Sequence, residues 1–258
     1  MLQREDLGSV VRLTMDSPQN FNALSVGMIA ALSDAFDRIA GEDSVRAVIL
    51  AGAGKAFCAG HDLRQMQAAR KDADGGRGHY EALFADCTAM MQRIGALPQP
   101  VIAQVQGIAT AAGCQLVASC DMAVAAAGAC FGVNGVDIGL FCTTPMVALT
   151  RAIPPRTAFE LLVTGDFIDA ARARELGLVN RVAAPDRLAD EALALAHKVA
   201  GKLPAAVRLG KAAFRRQLGQ GLGDAYAGAG ATMCQNIMLP DTAEGIAAFL
   251  EKRRPSWA

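Results

Sequence analysis

The sequence predicts an α/β fold in which strand–strand–helix turns repeat and a helical segment follows. Short apolar, β-branched runs alternate with amphipathic helical stretches up to about Thr143, and the pattern is almost entirely helical afterwards. This alternation favours an α/β fold over an antiparallel barrel. Hydrophobic residues make up 52% of the 258 residues, which is enough for a substantial core.

The first elements follow from periodicity and capping signals. Val10–Met15 alternates apolar and polar residues and predicts a strand. Ser25 is a suitable N-cap for an amphipathic helix that reaches about Ala40. The apolar run Val45–Ala51 predicts a buried strand, because β-branched residues dominate it and glycines follow.

The middle of the chain repeats this order. Residues 68–79 are polar and glycine-rich and predict a mobile surface loop, followed by a helix over 80–94. Val101–Val105 predicts a strand, a helix is expected from about Thr110, and Met122–Ala125 predicts another strand.

The remaining chain predicts mainly helices. Five of them are expected at Phe159–Val163, Ala170–Leu176, Leu188–Ala200, Ala205–Gln217 and Thr242–Arg253. Pro204 is a suitable junction, because proline cannot continue a helix but readily begins one. We therefore divide the chain into a core, residues 1–204, and a C-terminal helical segment, residues 205–258.

Composition excludes several classes of function. The 25 basic and 25 acidic residues balance to a formal net charge of zero, which argues against nucleic-acid binding. The N-terminus carries no apolar signal region, and no apolar run approaches the roughly 18 residues that a membrane span needs. We expect a soluble, cytoplasmic protein that has no membrane partner.

The seven cysteines are scattered without CxxC spacing, and the three histidines are dispersed. Reduced, buried thiols are the simplest interpretation, ahead of a disulfide framework or a metal site. We expect neither a bound metal nor a covalently attached cofactor.

Two segments carry the candidate chemistry: KAFCAGHDLRQM (55–66) and QGIATAAGCQLVASCD (106–121). Each reads as an apolar strand, a turn of small residues and the start of a helix. Backbone N–H groups in a first helical turn have no partner within the helix. Two such donors aimed at one oxygen would form an oxyanion hole. The alternative is that the small residues only let each helix pack tightly against a sheet.

Both segments resemble the crotonase family, also called the enoyl-CoA hydratase/isomerase family. The resemblance extends to NALS (22–25), LLVTGDFIDAARARELGLVNRV (161–182) and FLEKRRP (249–255). It implies a spiral of ββα turns in residues 1–204 that holds an acyl-CoA site, and a C-terminal trimerisation segment. It also implies homotrimers or hexamers that are dimers of trimers, with coenzyme A as part of the substrate.

The same resemblance assigns the two oxyanion-hole donors to the N–H groups of His61 and Ala112. Around them it implies contacts to the substrate or to CoA from nine residues: Ala59, Gly60, Asp62, Leu63, Arg64, Gly113, Phe141, Phe249 and Lys252. Of these, Arg64, Phe249 and Lys252 match positions that reach the nucleotide. Most exposed arginines and lysines are simply solvated, and Asp62 also suits the N-cap of the helix that follows it.

The departures from the family pattern bear on the reaction. Hydratases of the family place catalytic glutamates where this chain has Gln115 and Gly135. Glutamine cannot accept a proton near neutral pH and glycine has no side chain, so efficient hydration is not expected. The His61 imidazole and Asp137 remain as acid/base candidates, although for Asp137 a structural role, in which its carboxylate accepts from turn amides, is favoured.

The stretch VNGVDIGLFCTTP (133–145) is similar to one subgroup, the enoyl-CoA hydratase domain-containing protein 3 type, whose mitochondrial animal members also lack both glutamates. Three hypotheses follow. The chain is an acyl-CoA-processing enzyme that stabilises a thioester enolate, a CoA-thioester decarboxylase or thioesterase, or a non-catalytic acyl-CoA binding protein. Turnover measured on bound thioesters discriminates between enzyme and binding protein.

Overall fold

The computed structural model describes residues 1–256. Its strands form two β-sheets. The strands are β1 Leu2–Leu7, β2 Val10–Met15, β3 Ala47–Gly52, β4 Ala56–Cys58, β5 Val101–Val105, β6 Ile108–Thr110, β7 Met122–Ala126, β8 Cys130–Gly132, β9 Phe167–Asp169 and β10 Arg181–Ala183.

Helices cover these sheets and make up most of the C-terminal half. They are α1 Val26–Ala40, α2 Leu63–Ala69, α3 Arg77–Ala96, α4 Ala112–Ser119, α5 Thr143–Ala152, α6 Pro155–Thr164, α7 Ala170–Leu176, α8 Leu188–Ala200, α9 Pro204–Gln217, α10 Leu222–Ile237 and α11 Pro240–Leu250. Among the described residues no helix is both long and apolar enough to cross a membrane.

From β3 to β8, consecutive strands alternate between the two sheets, and this makes the chain a spiral. The larger sheet has the order β1-β2-β3-β5-β7-β10 and the smaller sheet has the order β4-β6-β8-β9. The pairs β3/β4, β5/β6 and β7/β8 therefore each give one strand to each sheet before a helix follows. Neighbouring strands are parallel except for β1 beside β2 and β9 beside β8. The predicted α/β spiral of ββα turns is confirmed.

The larger sheet is buried on both faces. One face packs into the main core, where Phe36, Phe57 and Phe131 are fully buried. The other face contacts α8 through side chains such as Ile49 and Leu195. Because both faces of this sheet are covered, β3 is a continuous apolar run and β5 is apolar except for Gln104, and neither alternates with polar residues.

Most predicted elements agree with the structure, and three differences have physical causes. The strand β1 was not predicted, because it is an edge strand of mainly exposed polar residues that pairs with β2 along its length. The helix α10 was missed because three glycines lower its helix propensity. The predicted loop 68–79 is shorter than expected, since α2 ends at Ala69 and α3 begins at Arg77.

A buried cluster of charges attaches α9 to the core. The Nζ of Lys211 lies 2.7 Å from Oδ2 of Asp121 and donates to the carbonyls of Ile94 and Gln99 at 2.9 Å. The guanidinium of Arg215 donates to the other oxygen of Asp121 at 2.7 Å. Burial lowers the pKa of Lys211, and the charge of Asp121 opposes this shift.

The proposed division between residues 1–204 and 205–258 stays a prediction. The helix α9 begins at Pro204, as the junction requires. The last two positions of the predicted C-terminal segment, 257 and 258, lie outside the described residues.

Asp121→Ala is expected to lower the free energy of unfolding by about 3 kcal/mol or more, because it leaves two cations beside each other without their carboxylate. Urea unfolding measures this change. Asp43→Ala is the matched control: Asp43 also pairs with a residue of α9, Arg208, but its side chain is 93% exposed. Exposed pairs contribute about 0–1 kcal/mol, so equal effects of the two substitutions would contradict the prediction.

Candidate functional site

Three parallel strands of the smaller sheet end at the same edge and bring their following turns together. Cys58 in β4 pairs with Ala109 in β6, and Ala109 pairs with Phe131 in β8. The segments after these strands are residues 59–61, 111–112 and 133–135. Segments separated by roughly twenty to fifty residues in sequence therefore become neighbours because of the spiral topology.

Two glycines allow the first two turns to approach closely. Gly60 has a φ of +86°, and a Cβ at this position would lie 3.1 Å from the backbone nitrogen of Ala112 and 2.9 Å from the Cβ of Ala111. A Cβ at Gly113 would overlap the carbonyl oxygen of Cys58. Both positions thus require glycine, the first for its backbone conformation and the second for space.

The turns present two unpaired backbone donors. Among the described residues, neither the N–H of His61 nor that of Ala112 donates a hydrogen bond. Ala112 is the first residue of α4, so its N–H also lies at the positive end of the helix dipole. Ala111 has a φ of +51° and donates to the carbonyl of Gly132 at 3.0 Å, which fixes the chain at the start of the helix.

These donors border a cavity of about 360 Å³, which we call the main cavity. Six residues named by the sequence analysis line it: Ala59, His61, Leu63, Ala112, Gly135 and Phe141. Gly60 and Gly113 lie beside it, in the contact between the two turns. Within the described part of the chain, no aspartate or glutamate lines the main cavity.

The His61 side chain is partly buried, and its ring nitrogens are enclosed. Its ring packs edge-to-face on Phe84, with centroids 5.5 Å apart and planes at 76°. Both ring nitrogens are buried and, among the described residues, have no hydrogen-bond partner. Burial lowers the pKa of His61, and the nearby Leu24 carbonyl offsets part of this shift. The backbone of His61 borders the cavity as an unpaired donor while its imidazole nitrogens are enclosed.

Cysteines near the cavity are protonated thiols. Burial raises the pKa of Cys142, which lines the main cavity, and raises the pKa of Cys114 to about 12. Burial also raises the pKa of Cys58, in β4, to about 12. A thiol with such a pKa is a poor nucleophile at neutral pH, so these residues act as small apolar side chains.

Gln115 and Gly135 do not line the same cavity. Gln115 lies one helical turn after Ala112 and lines a separate pocket between α3, α4 and α5. A Cβ at Gly135 would overlap the carbonyl oxygen of Leu140 and lie 2.8 Å from the Sγ of Cys142. Gly135 lines the main cavity that the two donors border, whereas Gln115 lines the neighbouring pocket.

Other predicted residues lie at the periphery. The carboxylate of Asp137 packs against the glycine that ends α6 and does not line the main cavity, so it is not placed to transfer a proton there. Asp62 caps α2, because its side chain accepts from two backbone N–H groups of that helix. Arg64, Phe249 and Lys252 are exposed, and among the described residues their side chains make no hydrogen bond or ion pair.

Several cavity residues were missed by the sequence analysis. Met66 and Phe84 line the main cavity from α2 and α3, and nothing in their local sequence distinguishes them from core residues. Asn134 also lines it and accepts a hydrogen bond from the Thr110 hydroxyl at 2.6 Å. Asn134 precedes Gly135 in the stretch 133–145, so the sequence could have identified it as a candidate site residue.

Known proteins that are similar in sequence and fold are named enoyl-CoA hydratase or enoyl-CoA hydratase domain-containing protein. The sequence model described as enoyl-CoA hydratase/isomerase matches residues 5–258. The Danio rerio protein "enoyl-CoA hydratase domain-containing protein 3, mitochondrial" is 41% identical over 98% of this chain and 86% of its own length. The structure of an enoyl-CoA hydratase from Mycobacterium smegmatis is 55% identical, with a TM-score of 0.95 over 99% of this chain and 98% of that one. Human enoyl-CoA hydratase domain-containing protein 3 is 40% identical, with a TM-score of 0.94 over 99% of both chains.

These names overturn one expectation. The relatives from Danio rerio, Rattus norvegicus and Homo sapiens are described as mitochondrial. The cytoplasmic location predicted from the N-terminal sequence is therefore wrong by this comparison.

Gly113→Ala is expected to lower the free energy of unfolding by about 1–3 kcal/mol, since the added methyl group must displace α4 from the Cys58 carbonyl. Gly210→Ala in α9 is the control, because a Cβ there meets no atom within 4 Å. Replacing glycine inside a helix stabilises it by about 0.5–1 kcal/mol, so the control is expected to be slightly more stable. Chemical denaturation of both variants tests this, and an unchanged stability of Gly113→Ala would refute the tight contact.

Proposed function

The chain belongs to the enoyl-CoA hydratase/isomerase family, and we propose that it binds an acyl-CoA thioester with the carbonyl oxygen between the N–H groups of His61 and Ala112. The observation that carries this proposal is the pair of unpaired donors at the border of one cavity. A donor in such a site typically contributes roughly 2.7–4 kcal/mol to transition-state stabilisation.

The proposed mechanism relies on electrostatics fixed by the backbone. When charge develops on the thioester oxygen, the two N–H groups and the N-terminus of α4 stabilise it without reorganising. The cavity lining is largely apolar, with Leu63, Met66 and Phe141 among its members. Such a lining strengthens these interactions, because it excludes water from the reacting carbonyl.

Few side chains in this cavity are suited to transfer a proton. No carboxylate lines it among the described residues, the nitrogens of His61 are enclosed, and the thiol of Cys142 stays protonated. We therefore propose weak hydration of enoyl thioesters. Reactions that need less acid/base assistance, such as decarboxylation of a malonyl-type thioester or thioester hydrolysis, fit these residues better. Binding without turnover is the second candidate, favoured by the same absence of proton-transfer groups.

Purified protein is expected to gain thermal stability with acyl-CoAs, since a ligand that binds only the folded state raises its apparent stability. Crotonyl-CoA hydration, followed by loss of its enoyl absorbance, is expected far below the usual turnover of about 1–1000 per second. Gln115→Glu alone is not expected to restore it, because residue 115 faces the neighbouring pocket. Ordinary hydration by the wild type would contradict the proposed role of these positions, and no stabilisation by any acyl-CoA would contradict the binding site.

The C-terminal segment is proposed to complete the CoA site in an oligomer. Large apolar side chains on α10 and α11 are exposed, with Leu222 at 75% and Phe249 at 82%. A face of this kind on a single chain is typical of a protein–protein contact. Phe249 and Lys252 would then reach the nucleotide bound by a neighbouring subunit, beside Arg64 of that subunit.

Light scattering coupled to size exclusion is expected to give three or six times the 26.8 kDa mass of the chain. Leu222→Glu is expected to shift this mass downward, because it places a charge in the proposed contact. Arg156→Gln, on the exposed surface of α6, is the control and is expected to leave the mass unchanged. A monomeric wild type would contradict the trimer or hexamer.

A further inference from the structure

A second pocket of about 360 Å³ lies beside the main cavity, and we call it the arginine pocket. It is bounded by α3, α4, α5 and α9, and Thr144 lines both cavities. Gln115, Arg151 and Arg215 contribute polar groups to it. No aspartate or glutamate is among the described residues that line it, so its charged groups are all positive.

Two of these polar groups are buried without partners. Gln115 is 6% exposed, and its Oε1 has no hydrogen-bond partner among the described residues. The Nε of Arg215 is likewise buried and unpaired. A buried polar atom without a partner costs free energy, so a polar group that occupies the pocket would recover part of this cost. The Gln115 amide can turn its N–H₂ towards an acceptor.

The charge balance favours an anion. Lys211 and Arg215 share a single carboxylate, that of Asp121, which leaves one positive charge in excess. Arg151, an exposed residue that lines the pocket, adds a second one: one of its terminal nitrogens donates to the Val147 carbonyl at 2.8 Å, and its other N–H groups have no protein partner among the described residues. A planar guanidinium is suited to bind a carboxylate.

We propose that the arginine pocket binds a carboxylate at the far end of the acyl chain, so that the preferred substrates are thioesters of dicarboxylic acids. This rests on the proposed thioester site. Gln115 lies one helical turn from Ala112, and Arg151 lies about 10 Å along α5 from Thr144. A short chain that passes Thr144 would place its carboxylate near Gln115 and Arg151.

Calorimetric binding of glutaryl-CoA and valeryl-CoA tests the proposal, because their acyl chains have the same length and differ in the terminal carboxylate. Glutaryl-CoA is expected to bind at least about tenfold more tightly than valeryl-CoA, as hydrogen bonds to a charged group allow.

Arg151→Gln is expected to remove this preference while valeryl-CoA binding is unchanged. Gln115→Glu replaces the amide with a carboxylate of similar shape. It is expected to reverse the preference, so that valeryl-CoA binds more tightly than glutaryl-CoA. Arg156→Gln, outside the pocket, is the control and is expected to retain it.

The outcomes separate this inference from the thioester site. Equal affinity for the two thioesters, or an equal loss for both in Arg151→Gln, overturns the carboxylate pocket and leaves the thioester site intact. Failure of both thioesters to bind overturns the thioester site itself. Circular dichroism and thermal unfolding of each variant distinguish a lost contact from a lost fold.

Discussion

The close approach of two turns is the constraint on which the rest of the site depends. Gly113 packs against the carbonyl of Cys58, and Gly60 packs against the backbone nitrogen of Ala112. The spiral makes this contact possible, because β4 and β6 are parallel neighbours and their following turns share one edge of the smaller sheet. Any larger residue at position 113 would move the helix that carries one of the two donors. The tight packing and the unpaired N–H groups are therefore two consequences of one arrangement, rather than competing interpretations of the small residues.

The charges around the proposed ligand come from the backbone and from arginines, and not from carboxylates. Burial lowers the pKa of the His61 imidazole and raises the pKa of the Cys142 thiol, and no carboxylate lines the main cavity among the described residues. The adjoining arginine pocket supplies positive charge next to the same acyl path. Together they form the site that we propose to hold a thioester and to recognise its acyl end.

Much of the fold was predictable, because strong local signals agree with the tertiary environment. The strands Val10–Met15 and Val101–Val105 have the predicted bounds, and Ser25 caps α1 as expected. The missed elements lack such signals, as the polar edge strand β1 shows. At the site, the motifs identified the two turns, yet the direction of Gln115 depends on how α4 rotates against α5. That rotation is set by packing between distant segments, and local sequence does not encode it.

The carbonyl stretching frequency of a bound, ¹³C-labelled acyl-CoA thioester tests the central claim most directly. Two backbone donors that polarise the C=O bond are expected to shift this band to lower frequency in infrared difference spectra of the complex. Gly113→Ala moves α4 away from the Cys58 carbonyl, and the Ala112 N–H moves with it, so this variant is expected to recover part of the free-ligand frequency. Gly210→Ala in α9, where an added Cβ meets no atom within 4 Å, is the control. A band at the free-ligand frequency in the wild-type complex would contradict the account.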